Sequence, residues 1–211
     1  MSSQEAVLKA EFKNLKLEIF QDQETSESPR EWDNLGSIVA FYKDYNLQDE
    51  NVNLKLEDFE SWNDLYKYLK ETLKAKVIIP LCILDHSGIF LKAGTSFLED
   101  SQGWDTSRIG FIYVTEDKLK KEYSVKKINK AIIKKAEACL YQEVKTYSLY
   151  IQGSVYGFNL SKKKTCKCCK NTEYEDLDSC WGFITEDFKS LKEDVKDHLA
   201  KEYKFLVNKL I

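Results

Sequence analysis

Val77-Ile78-Ile79-Pro80-Leu81-Cys82-Ile83-Leu84 is nearly all apolar and rich in β-branched residues. A run of this kind, without polar alternation, reads as a strand covered on both faces. Pro80, which has no N–H to give to a ladder, places part of it at a sheet edge or a bulge. The strand delivers Asp85-His86-Ser87-Gly88 to a turn, and Ile89 to Leu91 returns as its hairpin partner. On the N-terminal side, Trp62, Leu65, Tyr66, Leu69 and Leu73 recur at helical spacing behind Ser61. Asp64 completes an approximate capping box, so a helix spans about Ser61 to Lys74.

Further out, Val7 to Phe20 alternates apolar and charged residues, as in Leu15-Lys16-Leu17-Glu18-Ile19, and reads as one half-buried strand. Leu35 to Tyr42 resumes an apolar pattern behind Gly36, and Ile109 to Val114 is another strong strand. Ile128, Ile132, Ala136, Cys139, Leu140, Val144, Tyr147 and Ile151 trace one face of a long helix. Val155 to Leu160 and Leu177 to Ile184 read as antiparallel partners around a Lys/Cys-rich β-hairpin tip at 161–176. Phe188, Leu191, Val195, Leu199, Leu206 and Leu210 define a final helix. The strands ending at Thr115 and Thr185 both run into a threonine followed by acids, the pattern of a capped helix start. The expected class is α+β, an antiparallel or mixed β-sheet packed with about three main helices in a single domain over 1–211.

With 211 residues and 43% hydrophobic content the chain can bury a continuous core. It has no apolar run of about eighteen residues and no charged-then-apolar leader, which predicts a cytoplasmic protein without a membrane partner. The net charge of -3 hides an asymmetry. Gln21 to Asp64 holds twelve acids against three bases, while Asp117 to Lys135 holds eight lysines against two acids. A lysine-rich helix face can mark nucleic-acid contact, although lysine on the wet side of an amphipathic helix is the commoner cause. The acidic stretch suits a basic groove on a protein, such as one that normally holds nucleic acid.

The rare residues are concentrated in four blocks: Pro29-Arg30-Glu31-Trp32-Asp33-Asn34, Asp85-His86-Ser87-Gly88, Trp104-Asp105-Thr106-Ser107-Arg108-Ile109-Gly110, and Asp178-Ser179-Cys180-Trp181-Gly182-Phe183. Arg30 and Arg108 are the only arginines beside thirty lysines, and the guanidinium fork suits bidentate contacts. Arg30, Glu31, Trp32, Trp104 and Arg108 are therefore the candidate binding residues. Asp33, Asp85, His86, Asp105 and Asp178 form a candidate general-base or metal set for a hydrolase or nucleotide-processing enzyme. Adjacent Asp85-His86-Ser87 cannot make a triad among themselves, because a relay needs side chains converging from separate positions. The plainer account is that each aspartate caps a turn, His86 bonds to local backbone, and Trp32, Trp104 and Trp181 pack together under the sheet. His198 is expected on the apolar face of the last helix as a hydrogen-bonded core residue.

Cys82 and Cys139 read as small core hydrophobes. Cys166 and Cys169 have the spacing that lets two thiolates share one zinc, with Cys168 as a third ligand. If the flanking strands pair, Cys180 lies several residues down the ladder, more than about 10 Å from the tip, and cannot close that site. The cofactor expectation is none, or one Zn at Cys166, Cys168 and Cys169, with an oxidation-prone thiol cluster as the alternative.

On the same blocks, together with Leu35-Gly36, Tyr45-Asn46-Leu47, Gly110-Phe111-Ile112-Tyr113-Val114 and Tyr156-Gly157-Phe158, the sequence resembles a family of small proteins carried by bacteriophages and other mobile elements. The resemblance covers about two thirds of the chain, from Pro29 to Phe183. It implies a cysteine pair in the hairpin, which Cys166 and Cys169 would occupy, and Cys168 departs from that pattern. It implies genomic context rather than an activity: such accessories frequently blunt host defence, anti-CRISPR proteins among them. The leading expectation is an inhibitor that binds a host defence protein through the acidic segment or the basic helix. An enzyme built on His86 and the motif aspartates and a plain nucleic-acid-binding module are the alternatives.

Overall fold

The computed structural model describes residues 5–23, 27–85, 88–97, 105–166 and 168–211. Along the chain run β1 (Leu8–Phe12), β2 (Leu15–Gln21), β3 (Ser37–Ala40), α1 (Trp62–Glu71), β4 (Ala75–Asp85), β5 (Ile89–Ala93), β6 (Thr106–Thr115), α2 (Glu116–Glu122), α3 (Lys130–Ile151), β7 (Val155–Thr165), β8 (Thr172–Ile184) and α4 (Phe188–His198). Short 3-10 turns lie at Pro29–Glu31, Leu56–Asp58 and Lys204–Lys209. The class is α+β. Its strands form two four-stranded antiparallel sheets where the sequence suggested one, and they divide between two compact units, Glu27–Gln152 and Met1–Ser26 with Gly153–Ile211. No helix among the described residues is long and apolar enough to cross a membrane.

In the central unit (Glu27–Gln152) the strand order is β3-β6-β4-β5. Period-two alternation sends Val77, Ile79, Leu81 and Ile83 of β4 to one face, where they meet Ile132, Ala136, Leu140 and Val144 of α3. On the other face Val39, Phe111 and Tyr113 pack with Leu65 and Leu69 of α1. The apolar run is thus covered on both sides, as its composition demands. Pro80 stands where β5 has just ended: its carbonyl accepts from the Gly94 amide at 2.7 Å, and a bulge follows between Leu81 and Cys82. Gly110 lies opposite Ala40, so close that a Cβ there would overlap the Val39 carbonyl oxygen. Thr115 caps α2 by accepting from the Lys118 amide, with Glu116 and Asp117 in the first turn. Ser61 caps α1 through the Asp64 amide, but Asp64 returns to the Glu60 amide, so the capping box is only half formed.

In the terminal unit (Met1–Ser26 with Gly153–Ile211) the order is β1-β2-β7-β8. Leu17, Ile19, Phe158 and Leu160 face Leu191 and Val195 of α4 and the C-terminal Leu206, Val207 and Leu210. The stretch read as one strand from Val7 to Phe20 is a hairpin. Lys13 adopts φ 56° between β1 and β2, and leucine alternation continues across the turn without announcing it. The last helix stops at His198, and a 3-10 turn carries Leu206 and Val207 back to the same core. Its N-cap is Asp187, whose carboxylate accepts from the Lys189 and Ser190 amides, rather than Thr185. The backbones of Ile211 and Lys9 exchange two hydrogen bonds beside β1, whereas β8 forms the other edge of the sheet.

Candidate functional site

Arg30 organises a cleft in the central unit. Ser28 caps the turn at Pro29–Glu31 and Glu31 returns its carboxylate to the Ser28 amide, which sets the angle at which Arg30 enters the fold. Its Nε and Nη2 donate to the two Asp49 carboxylate oxygens at 2.9 and 2.7 Å, Nη2 donates also to the Gly36 carbonyl at 2.9 Å, and Nη1 donates to Glu143 at 3.2 Å. Burial works against the guanidinium charge, but Asp49 and Glu143 outweigh it, and the Arg30 pKa is raised. The two carboxylates also hold backbone. Asp49 accepts from the Ile38 amide, and Glu143 accepts from the Leu35 and Gly36 amides. The fork predicted for Arg30 is therefore occupied inside the protein, where it ties the start of β3 to α3.

Above this floor lies a cavity of about 490 Å³. Its lining includes Glu31, Trp32, Asp33, Glu50, Lys118 and Tyr150. Glu31, Asp33 and Glu50 are exposed, and Trp32 is 49% exposed at the rim instead of packed under a sheet. Lys118 Nζ donates to the Asn34 carbonyl at 2.6 Å, which anchors the one lysine of the lining. The exposed ionic character of the cleft is anionic, beside an accessible indole. Chemically, the arrangement suits a cation, since a guanidinium or ammonium can meet carboxylate and aromatic face together.

Of the other sequence candidates among the described residues, Asp33 alone joins the cleft. Asp85 accepts from the Tyr42 hydroxyl at 2.5 Å, and that bond is the main reason the Tyr42 pKa rises to about 12. The Asp85 amide donates to the Asp105 carbonyl at 3.3 Å, so these two aspartates are neighbours at one end of the β4–β6 pair. Asp33 belongs to the cleft, and Asp178 stands opposite Leu160 in the β7–β8 ladder of the terminal unit. Arg108 is exposed on β6 opposite Cys82 and is absent from the cleft lining. His86, Ser87 and Trp104 lie outside the described residues. His198 is exposed, contrary to the core position expected of it. Its Nδ1 sits 2.8 Å from the Asp194 carbonyl, and its ring meets Phe183 edge-on at 5.0 Å. Trp181 is also half-exposed, opposite Gly157 and stacked with Phe20 at 6.2 Å.

Asp49 and Glu143 are the site residues that sequence reasoning missed. Asp49 is one acid in a crowded run. Glu143 carried a readable signal, since it stands four residues from both Cys139 and Tyr147 on the apolar stripe of α3, where an acid must find a partner.

A second group lies at the tip of the β7–β8 hairpin. The ligand atoms of Cys166, Cys168 and Cys169 all fall within 4.8 Å of one another, close enough to hold a metal ion. The Sγ atoms of Cys166 and Cys168 are 2.9 Å apart. The Cys168 thiol, then the amides of Cys169 and Cys168, stabilise a thiolate at Cys166 and hold its pKa down to about 6. Cys180 pairs with Phe158 well down the ladder and does not join the group, as its position predicted. Cys82 is buried, and Cys139 is half-buried with its thiol pushed up to about 11, first by burial and then by Glu143.

Compared with protein-family models, curated proteins and solved structures, the chain matches none of them.

Proposed function

We propose that the chain is an accessory protein of a phage or other mobile element that inhibits a host defence protein, such as a CRISPR effector, by binding it through the acidic cleft of the central unit. The observation that carries this reading is the cleft rim. Three exposed carboxylates, Glu31, Asp33 and Glu50, stand with the exposed Trp32 indole around an opening whose only guanidinium is already matched by Asp49 and Glu143. Such a rim repels phosphate and carboxylate ligands and favours lysine or arginine side chains. Defence nucleases present such side chains in the grooves that hold nucleic acid. Rim charge of this kind raises the encounter rate and makes binding weaken with salt. The protein would act in the cytoplasm of the bacterial host.

The test is phage growth on cells equipped with a defence nuclease, with and without the chain, followed by binding measurements on any nuclease affected. The chain is expected to restore phage growth. The combined Trp32→Ala, Asp33→Lys and Glu50→Lys variant, whose changes lie at exposed positions, should fold normally and bind at least about tenfold more weakly, since buried aromatic anchors and opposed charges dominate such contacts. Equal protection by that variant would remove the cleft from the contact. Failure to protect in every nuclease background would remove the inhibitor reading.

A second reading rests on a separate feature of the same unit. Lys126, Lys127, Lys130 and Lys134 line a groove of about 850 Å³ at the start of α3, beside Lys76 and Lys120 already paired with Glu116 and close to Glu137, and the four lysines suit a phosphate backbone. Oligonucleotide binding that falls steeply with salt supports it, and the absence of binding at low salt excludes it.

A further inference from the structure

We propose that the tip of the β7–β8 hairpin is a three-thiolate site for a soft monovalent metal ion, Cu(I), with Cys166, Cys168 and Cys169 as its ligands. This site is independent of the cleft and of the inhibitor reading.

The hairpin builds it. β7 ends at Thr165 and β8 begins at Thr172. Between them the Cys166 amide donates to the Asn171 carbonyl at 2.8 Å and the Lys170 amide to the Cys166 carbonyl at 3.1 Å, with Lys170 at φ 62° closing the turn. Cys166 is thereby fixed at the end of the ladder, and the turn brings Cys168 and Cys169 back over it. With metal–sulfur bonds of about 2.3 Å, three sulfurs around a trigonal ion lie about 4 Å apart. The three ligand atoms already fall within 4.8 Å of one another, and the two closest need only spread on an exposed turn.

Ligand number and type select the ion. A structural zinc takes four ligands, and among the described residues no histidine, aspartate or glutamate joins the three sulfurs, while Cys180 is held opposite Phe158. Thiolates are soft donors that favour Cu(I), an ion content with three of them, whereas carboxylate and water suit harder ions. Three thiolates and one Cu(I) leave a local charge of about -2, which the exposed Lys170 of the turn partly offsets. Binding exchanges S–H bonds for S–Cu bonds and releases the thiol protons to solvent, with no change in the oxidation state of copper or sulfur.

The test titrates the reduced full-length chain anaerobically with Cu(I) against a chromophoric Cu(I) chelator, and repeats the titration with Zn(II) against a zinc indicator. One equivalent of Cu(I) is expected, with sulfur-to-copper charge-transfer absorption in the ultraviolet. Cys166→Ser, Cys168→Ser and Cys169→Ser should each weaken it at least about tenfold, while Cys180→Ser leaves it unchanged. An unchanged circular dichroism spectrum for each variant shows that the loss of copper does not come from unfolding. Three results would overturn the proposal: no competition with the chelator, copper binding that survives the triple serine variant, or zinc held more tightly than Cu(I) with Cys180 required.

Discussion

Arg30→Ala removes the cation from beneath the cleft and leaves two carboxylates facing each other. The side chains of Arg30, Asp49 and Glu143 are 7%, 9% and 11% exposed, so water does little to replace the guanidinium. Removing one partner from a buried ion pair costs about 3–5 kcal/mol. Here two acids lose their partner at once, but each retains backbone donors, Ile38 for Asp49 and Leu35 with Gly36 for Glu143, which places the expected loss near 4 kcal/mol. For a unit of this size that lowers the melting temperature by roughly 10–20 °C. Urea unfolding followed by far-ultraviolet circular dichroism measures it directly, with an unchanged denaturant slope expected if only the native state is affected. Arg30→Lys keeps the charge but loses the fork, and should fall between the two. Replacing all three residues by apolar side chains should not restore stability, because the Leu35, Gly36 and Ile38 amides would lose their acceptors. A loss below about 1 kcal/mol for Arg30→Ala, the value of an exposed ion pair, would refute the buried-latch account.

Two further predictions concern positions of ordinary appearance. Gly110→Ala adds a methyl group where only the Val39 backbone is available to move, so it should separate β3 from β6 and cost at least about 2 kcal/mol; an unfolding midpoint within error of the parent would contradict the close approach. The Glu116 carboxylate accepts from Lys120 at 2.6 Å and Lys76 at 2.7 Å, which hold its pKa down to about 2 from an ordinary value of 4.5. A carboxylate depressed on folding stabilises the native state above its unfolded pKa, and that contribution is lost as pH falls from about 4.5 towards 2. Glu116→Gln should therefore flatten the acid limb of a melting-temperature profile taken from pH 7 to pH 2, and an unchanged limb would show that the two lysines do not act on it.

Local patterns were enough to read the central unit's strands, the β4–β5 hairpin, the long helix α3, the Thr115 cap and the antiparallel β7–β8 pair, because each is written as apolar periodicity or cap chemistry within a short window. Pro80 pointed to a sheet edge or a bulge, and a bulge follows it between Leu81 and Cys82. The turn at Lys13 was hidden because alternation carries straight across it, and the end of α4 because Leu206 and Val207 return to the same core by a different path. The cysteine tip was legible from strand pairing alone, since a ladder rise of about 3.3 Å per residue separates Cys180 from it.

The cleft shows what one-dimensional reading determines and where it stops. Sequence alone singled out Arg30, Glu31, Trp32 and Asp33 by the rarity of arginine and tryptophan in a lysine-rich chain, and it marked this segment as acidic. Only the tertiary structure decided that Arg30 turns inward to Asp49 and Glu143 while its neighbours turn outward. Those partners lie 19 and 113 residues away, and their meeting depends on how β3 docks on α3. Charge is a local property of sequence, but whether a charge is satisfied within the fold or offered to a partner depends on which distant side chains the packed core brings beside it.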